Sequence, residues 1–124
     1  MDRDNHWDRT EKSYHALLGD GAILDEPEDA LKKTYGRDLS DEFVEPTIIK
    51  EPHPIQDNDS LIFFNFREDR MRQIVAPFIN PDFNDFPVKS IKNNLITTMT
   101  RYKEGMGVPV AFQPETVTHP LGKV

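Results

Sequence analysis

The stretch SLIFFNFREDRMRQIVAPFI, residues 60–79, constrains the fold more than any other part of this chain. Its first half, LIFFNF, is a continuous apolar run too short for a helix of its own. Such a run reads as a strand covered on both faces, as in an α/β sheet. The second half changes period: Met71, Ile74, Val75, Phe78 and Ile79 recur at three- and four-residue spacing, which predicts an amphipathic helix with one face on a core. Pro77 lies inside that stripe and is expected to kink the helix or stop it early, because its ring removes a donor and crowds the preceding turn.

Arg67, Arg70 and Arg72 stand at the junction of the two halves, in a chain with 22 acidic and 15 basic residues and a formal net charge of −7. An acidic protein repels anions at long range, so a local cluster of cations at the mouth of a buried strand calls for a local purpose. On a helix, Arg67 and Arg70 sit three apart with Cβ atoms about 5–6 Å from each other, and their guanidinium groups can converge on one ligand. The same wheel leans Arg67 toward the protein, turns Asp69 and Gln73 outward, and lets Arg72 pair with Glu68 at i, i+4. The place suits an anion. Ligands collect at the carboxyl ends of strands in open α/β sheets, a helix N-terminus adds partial positive charge, and arginine forks grip carboxylate or phosphate bidentately. The alternative left open by spacing is that both arginines pair with aspartate or glutamate elsewhere in this acid-rich chain.

The rest of the chain fits one α/β domain of 124 residues, with 36% hydrophobic residues, ten prolines and a mean hydropathy of −0.65, so a small core is expected. NHWDRTEKSYHALLG places Trp7, Tyr14, Leu17 and Leu18 at helical intervals, with Asn5 as N-cap and Gly19 and Gly21 as the stop. DEPEDALKKTYG is a second helix, with Pro27 and acidic residues at its start, Ala30, Leu31, Thr34 and Tyr35 as its stripe, and Gly36 at its end. PTIIK reads as part of a hairpin or surface excursion, NLITTMTRY and VPVAF as further strands, and QPETVTHPLGKV as an extended tail.

Several chemistries are absent from the pattern. His6, His15, His53 and His119 lack metal-binding spacing. No phosphate loop, dinucleotide fingerprint or serine elbow occurs. No basic run tracks a nucleic acid backbone, so nucleic acid is a poor partner, and no apolar stretch approaches the roughly 20 residues that span a bilayer. Cysteine is absent, which leaves a cytoplasmic address as the default expectation. Near the start, Arg3 lies between Asp2 and Asp4 and reads locally as an exposed arginine near a frayed terminus.

Three separated pieces resemble one family. MDRDNHWDRTEKSYHAL looks like the MDRDNRWER-type segment of the cofactor-independent phosphoglycerate mutases, while DEFVEPTII and NDSLIFFNFREDRMRQ resemble that family's DEFVxPT and DxxIFxNFRxDRxRQ blocks. The similarity continues in order through TTMTRY and VPVAF to HPLGKV. The resemblance implies a two-domain enzyme that interconverts 3-phosphoglycerate and 2-phosphoglycerate through an enzyme phosphoserine. A phosphatase-like domain would carry the serine and two Mn²⁺ ions, and an α/β substrate-binding domain would hold the glycerate. It further implies that Arg3, Arg67 and Arg70 contact the substrate's carboxylate or phosphate. Neither the serine segment, the metal-ligand clusters nor the family's HGDGRD block appears in this chain.

The expectation is therefore an α/β fold, a partial mixed sheet flanked by helices, forming the C-terminal portion of the mutase substrate-binding domain. Residues 1–112 would be that partial domain, and 113–124 the start of a linker returning to an absent phosphatase-like domain. Such a chain would bind no cofactor itself and would turn nothing over alone. The competing expectations are a free-standing anion-binding or regulatory module without catalysis, and a piece that complements a separately encoded phosphatase half.

Overall fold

A computed structural model describes residues 3–115. The apolar run at 60–66 supplies strand β3 (Ser60–Phe63), and the amphipathic stripe supplies helix α3 (Met71–Ile79). The chain then returns as β4 (Leu95–Thr100), parallel to β3, with Ser60 opposite Leu95 and Phe63 opposite Thr98. A parallel pair cannot close through a tight turn, and α3 with its flanking loops is the crossover it requires. Strand β5 (Val110–Phe112) adds in parallel to the other side of β4, giving the order β3-β4-β5.

A second, smaller unit repeats the logic. Strand β1 (Ala22–Leu24), helix α2 (Pro27–Tyr35) and a 3₁₀ turn (Asp41–Phe43) lead to β2 (Thr47–Ile49), which pairs in parallel with β1. PTIIK is thus not in a hairpin. Its partner is a three-residue strand on the far side of α2, too short to announce itself by period. The α/β class stands, with sheets flanked by helices. Instead of one mixed sheet, the described strands form two sheets, parallel in every pairing.

The helix ends follow local chemistry, with two departures. Helix α1 (Trp7–Leu17) is preceded by His6 as N-cap, without a side-chain cap. Asn5 stands instead in the left-handed region at φ 61°, a conformation asparagine tolerates but an N-cap does not use, and its N–H reaches Gln73 Oε1 at 3.4 Å. The chain leaves α1 through Gly19 at φ +87°, where a Cβ would meet Pro54 Cβ at 3.1 Å, so glycine is required both for conformation and for space. In α2, Pro27 occupies the start and Gly36 the end, as expected. Helix α3 runs through Pro77 and ends two residues later, with the Asn80 N–H on the Ala76 carbonyl at 2.9 Å.

Helix α3 feeds two small cores. Met71, Ile74 and Val75 pack with Tyr102, and with Phe63, Ile79 and Met106 at the margin. Phe78 reaches the other cluster, where Tyr14, Leu18 and Phe86 are buried beside Trp7 and Phe83. That second core is aromatic: Phe83 and Phe86 meet edge to face at 4.7 Å, and Tyr14 lies 5.1 Å from Phe78. One helix thus joins α1 on one flank to the three-stranded sheet on the other.

Tyr102, 1% exposed, locks the exit of the sheet. Its hydroxyl is shared between the carbonyl oxygens of Asn65 (2.6 Å) and Phe63 (2.8 Å), and its own carbonyl accepts the Arg72 Nε–H at 2.7 Å. Burial pushes the phenol's pKa up, against the smaller opposing effect of a backbone hydrogen bond at Met99, which keeps it a neutral donor.

The opposite face of this sheet corrects a sequence expectation. LIFFNF is covered on one side only. Leu61 and Phe63 turn inward, whereas Ile62 and Phe64 are 71% and 73% exposed, and Leu95 on β4 is 61% exposed. A parallel sheet ordinarily has both faces covered, and the described helices supply a layer for one.

Replacing Tyr102 with Phe leaves buried carbonyls without their donor and is expected to lower unfolding stability by about 1–3 kcal/mol. Tyr35→Phe, on the exposed side of α2, should change it by less than about 0.5 kcal/mol in the same denaturant titration. The bare face is expected to bind a hydrophobic-surface dye, and Ile62→Ser with Phe64→Ser should remove most of that fluorescence while the circular dichroism of the fold persists.

Candidate functional site

The loop 64–70 carries the arginines, and its course is dictated by bonds to the end of β4 and beyond. The Tyr102 hydroxyl holds the carbonyls of Phe63 and Asn65, and Thr100 Oγ1 donates to the Phe66 carbonyl at 2.9 Å. Residue 67 therefore leaves from the carboxyl edge of a parallel sheet. The N–H groups of Met71 and Arg72 both turn back to the Glu68 carbonyl, at 3.0 and 3.2 Å. Arg72 Nη2 pairs with Glu68 Oε1 at 2.6 Å, the i, i+4 pair expected from the sequence. With its Nε on the Tyr102 carbonyl, Arg72 is also a strut between α3 and the segment after β4.

Arg67 and Arg70 do not share a helical face. Arg70 is the N-cap of α3 and Arg67 lies in the loop before it. The cause is Asp69, whose Oδ1 accepts the Arg70 N–H at 2.9 Å, a side-chain to backbone bond that competes with earlier helical winding. Of the two residues expected to face outward, Asp69 is partly exposed and lies against the solvated arginines, whereas Gln73 is turned inward. Gln73 is 5% exposed and donates from Nε2 to Thr10 Oγ1 at 3.3 Å, joining α3 to α1. Gln73 lies with Ile74 and Pro77 on the packed side of α3, where α1 covers it.

Asp69 gathers the cations. Its Oδ2 lies 2.8 Å from Arg67 Nη2 and 3.3 Å from Arg3 Nη1, although Arg3 is 66 residues away in sequence. The segment bearing Arg3 is held over the start of α3 by the Asn5–Gln73 bond. The structure therefore brings Arg3 and Arg67 onto one carboxylate oxygen, and places Arg70 next in the chain. The Arg70 guanidinium makes no ion pair with any described residue. Both paired arginines remain largely solvated, Arg67 at 76% and Arg3 at 50% side-chain exposure, while Asp69 is at 25%. Two guanidinium groups against one carboxylate leave a local excess of positive charge, with most donor positions open. Such a site fits an anion carrying two charged groups.

Partial desolvation pushes the Asp69 carboxyl upward, but hydrogen bonds from the Arg67 guanidinium, the Arg70 N–H and the Arg3 guanidinium outweigh it and hold the pKa below the ordinary value.

Among the described residues no three His, Cys, Asp or Glu side chains converge as a metal site would require. His15 sits 3.6 Å from Glu11 on the same helix, and His119 lies outside the described residues.

A carboxyl pKa depressed in the folded state contributes stability above the unfolded value of about 3.9, and this is lost as pH falls through the folded value. A carbon-detected NMR titration is therefore expected to show Asp69 with a midpoint below 3.9, and Arg67→Ala should move that midpoint upward.

Comparison with known proteins gives this geometry a context. Residues 1–104 match the family model described as BPG-independent PGAM N-terminus. The 2,3-bisphosphoglycerate-independent phosphoglycerate mutase of Francisella tularensis subsp. novicida (strain U112) is 47% identical over 129 aligned positions, covering all of this chain and 25% of the relative. The enzyme of the same name from Methanococcoides burtonii is 45% identical, again over all of this chain and 25% of its own length. A crystal structure of Leishmania mexicana phosphoglycerate mutase at low cobalt concentration superposes with a TM-score of 0.81 at 28% identity, over 95% of this chain and 24% of that one. The chain thus spans about a quarter of the length of the curated relatives it matches. The matched model is that of the N-terminus, which corrects the placement expected from motif order: the segment corresponds to the N-terminal part of these mutases, not to a C-terminal portion. With a family model covering most of its length, the chain belongs to the family of 2,3-bisphosphoglycerate-independent phosphoglycerate mutases.

Proposed function

We propose that this chain is a substrate-gripping part of a phosphoglycerate mutase, in which Arg3, Arg67 and Arg70 hold the carboxylate and phosphate of 3-phosphoglycerate and 2-phosphoglycerate. The observation that carries the reading is the meeting of Arg3 and Arg67 on one Asp69 oxygen at the carboxyl edge of a parallel sheet, with Arg70 beside them. A phosphoglycerate carries two anionic groups a few bonds apart, and forked donors from separate segments match such a span where a single cation would not. Fixing both ends of the substrate supplies proximity and orientation, and binding is the whole of what these residues offer.

The serine nucleophile and the Mn²⁺ chemistry belong, on this proposal, to a phosphatase-like remainder of the enzyme, acting in glycolysis and gluconeogenesis in the cytoplasm. Residues 1–112 are then part of the substrate-binding domain, and 113–124 the start of a linker, of which 116–124 lie outside the described residues. The bare face at Ile62, Phe64 and Leu95 supports a partner of this kind. A parallel sheet needs a second layer, and three quarters of each curated relative lies beyond the matched span. A free-standing anion-binding module would have no use for that uncovered surface.

Calorimetric titration of 3-phosphoglycerate into the purified chain tests the site. Saturable submillimolar binding without turnover is expected. Arg67→Ala or Arg70→Ala should weaken it by about tenfold or more, roughly 1.4 kcal/mol, while the remote Arg37→Ala leaves it unchanged. A folded chain that binds no phosphoglycerate, or one indifferent to both substitutions, sinks the reading.

A further inference from the structure

We propose that Asp69 is the positioning residue of the anion site: its carboxylate holds the Arg3 and Arg67 guanidinium groups at the spacing a phosphoglycerate requires, without touching the substrate. The inference rests on the substrate reading above and adds a residue of the wrong charge for an anion site.

The geometry is built from the backbone outward. Asp69 Oδ1 is tied to the Arg70 N–H at 2.9 Å, which fixes the carboxylate plane against the start of α3. The other oxygen, Oδ2, then faces Arg67 at 2.8 Å and Arg3 at 3.3 Å. Arginine side chains carry substantial rotamer entropy, and two solvated arginines on separate segments would otherwise be ordered only when ligand arrives. Binding would bear that cost. The bridge orders them beforehand. A guanidinium offers five N–H donors and the contact to Asp69 engages one nitrogen of each arginine, so the remaining donors stay available. A second role for the carboxylate is conceivable on the same contacts: a stand-in that fills the site and is displaced by substrate. That role would require Oδ1 to leave the Arg70 N–H and would strand a carboxylate beside an incoming multiply charged anion, a like-charge contact that disfavours binding. The tether favours positioning.

Asp69→Asn separates the possibilities because charge and geometry predict opposite signs. The amide retains an acceptor for the Arg70 N–H and removes one negative charge. On charge alone the variant should bind 3-phosphoglycerate more tightly. If Asp69 positions the arginines, the full chain carrying Asp69→Asn should bind about tenfold more weakly, with its thermal midpoint little changed. In an Arg3→Ala or Arg67→Ala background the same substitution should cost clearly less, a coupling that a purely structural defect would not show. Unchanged or tighter binding by Asp69→Asn, with Arg67→Ala still disruptive, overturns the positioning role and leaves the substrate reading standing. Failure of the unsubstituted chain to bind overturns the substrate reading, and the positioning role goes with it.

Discussion

A phenol hydroxyl set between two main-chain carbonyls decides where this protein can place its cations. Tyr102 follows β4, yet its side chain ends at the exit of β3, on Phe63 and Asn65, and its carbonyl grips Arg72 of α3. The consecutive elements β3 and α3 are thereby fixed to a residue 30 or more positions further along the chain. Two part-buried acceptors would be costly without that donor. The loop that follows, from Phe66 to Arg70, inherits its direction from this clamp and from Thr100, and the arginines inherit theirs from the loop.

The core that supports the clamp is modest, and α3 does most to unify it. Its apolar stripe meets the sheet through Met71, Ile74 and Val75 and meets the aromatic cluster of α1 through Phe78. Gln73 sits between the two contacts, and its bonds to Thr10 and Asn5 draw the N-terminal segment across the head of the helix. Arg3 arrives at the site by this route. Folding of α1 against α3 and assembly of the cationic cluster are therefore one event, and a residue that reads locally as an exposed terminal arginine becomes part of a built constellation.

What could be read beforehand divides along the range of the interaction. Strand β3 followed by α3, the start of α2 at Pro27, and the Arg72–Glu68 pair are all consequences of neighbours within one or two turns, and each was legible from spacing. The parallel partner of PTIIK was not, because β1 is three residues long and its pairing depends on a crossover. Gln73 is buried for a related reason: a wheel drawn from Arg70 turns it outward, whereas its bond to Thr10 on α1 draws that flank of α3 into the fold. Arg67 and Asp69 precede the helix, which begins at Met71, so the wheel does not apply to them. The uncovered face of β3 is the opposite case. A continuous apolar run predicts cover on both faces, whereas Ile62 and Phe64 are exposed, in a chain that spans about a quarter of its curated relatives.

The short range of screened charges also lets the proposed anion site persist in a chain of net charge −7. Screening at physiological salt confines exposed charges to about 8 Å, so the acidic excess matters only where it stands close to the arginines. Several acids are occupied with cations of their own: Glu45 with Lys12 at 2.7 Å, Asp29 with Lys32 at 3.2 Å, Glu26 with Lys50 at 3.5 Å and Glu68 with Arg72. Among the described residues, Asp69 is the acid that pairs with Arg3 and Arg67, and a single carboxylate shared between two guanidinium groups neutralises at most one of them. The cluster keeps positive charge because its acid is shared. An additional carboxylate within reach would convert the same geometry into an ordinary surface ion-pair network, with nothing left for a ligand.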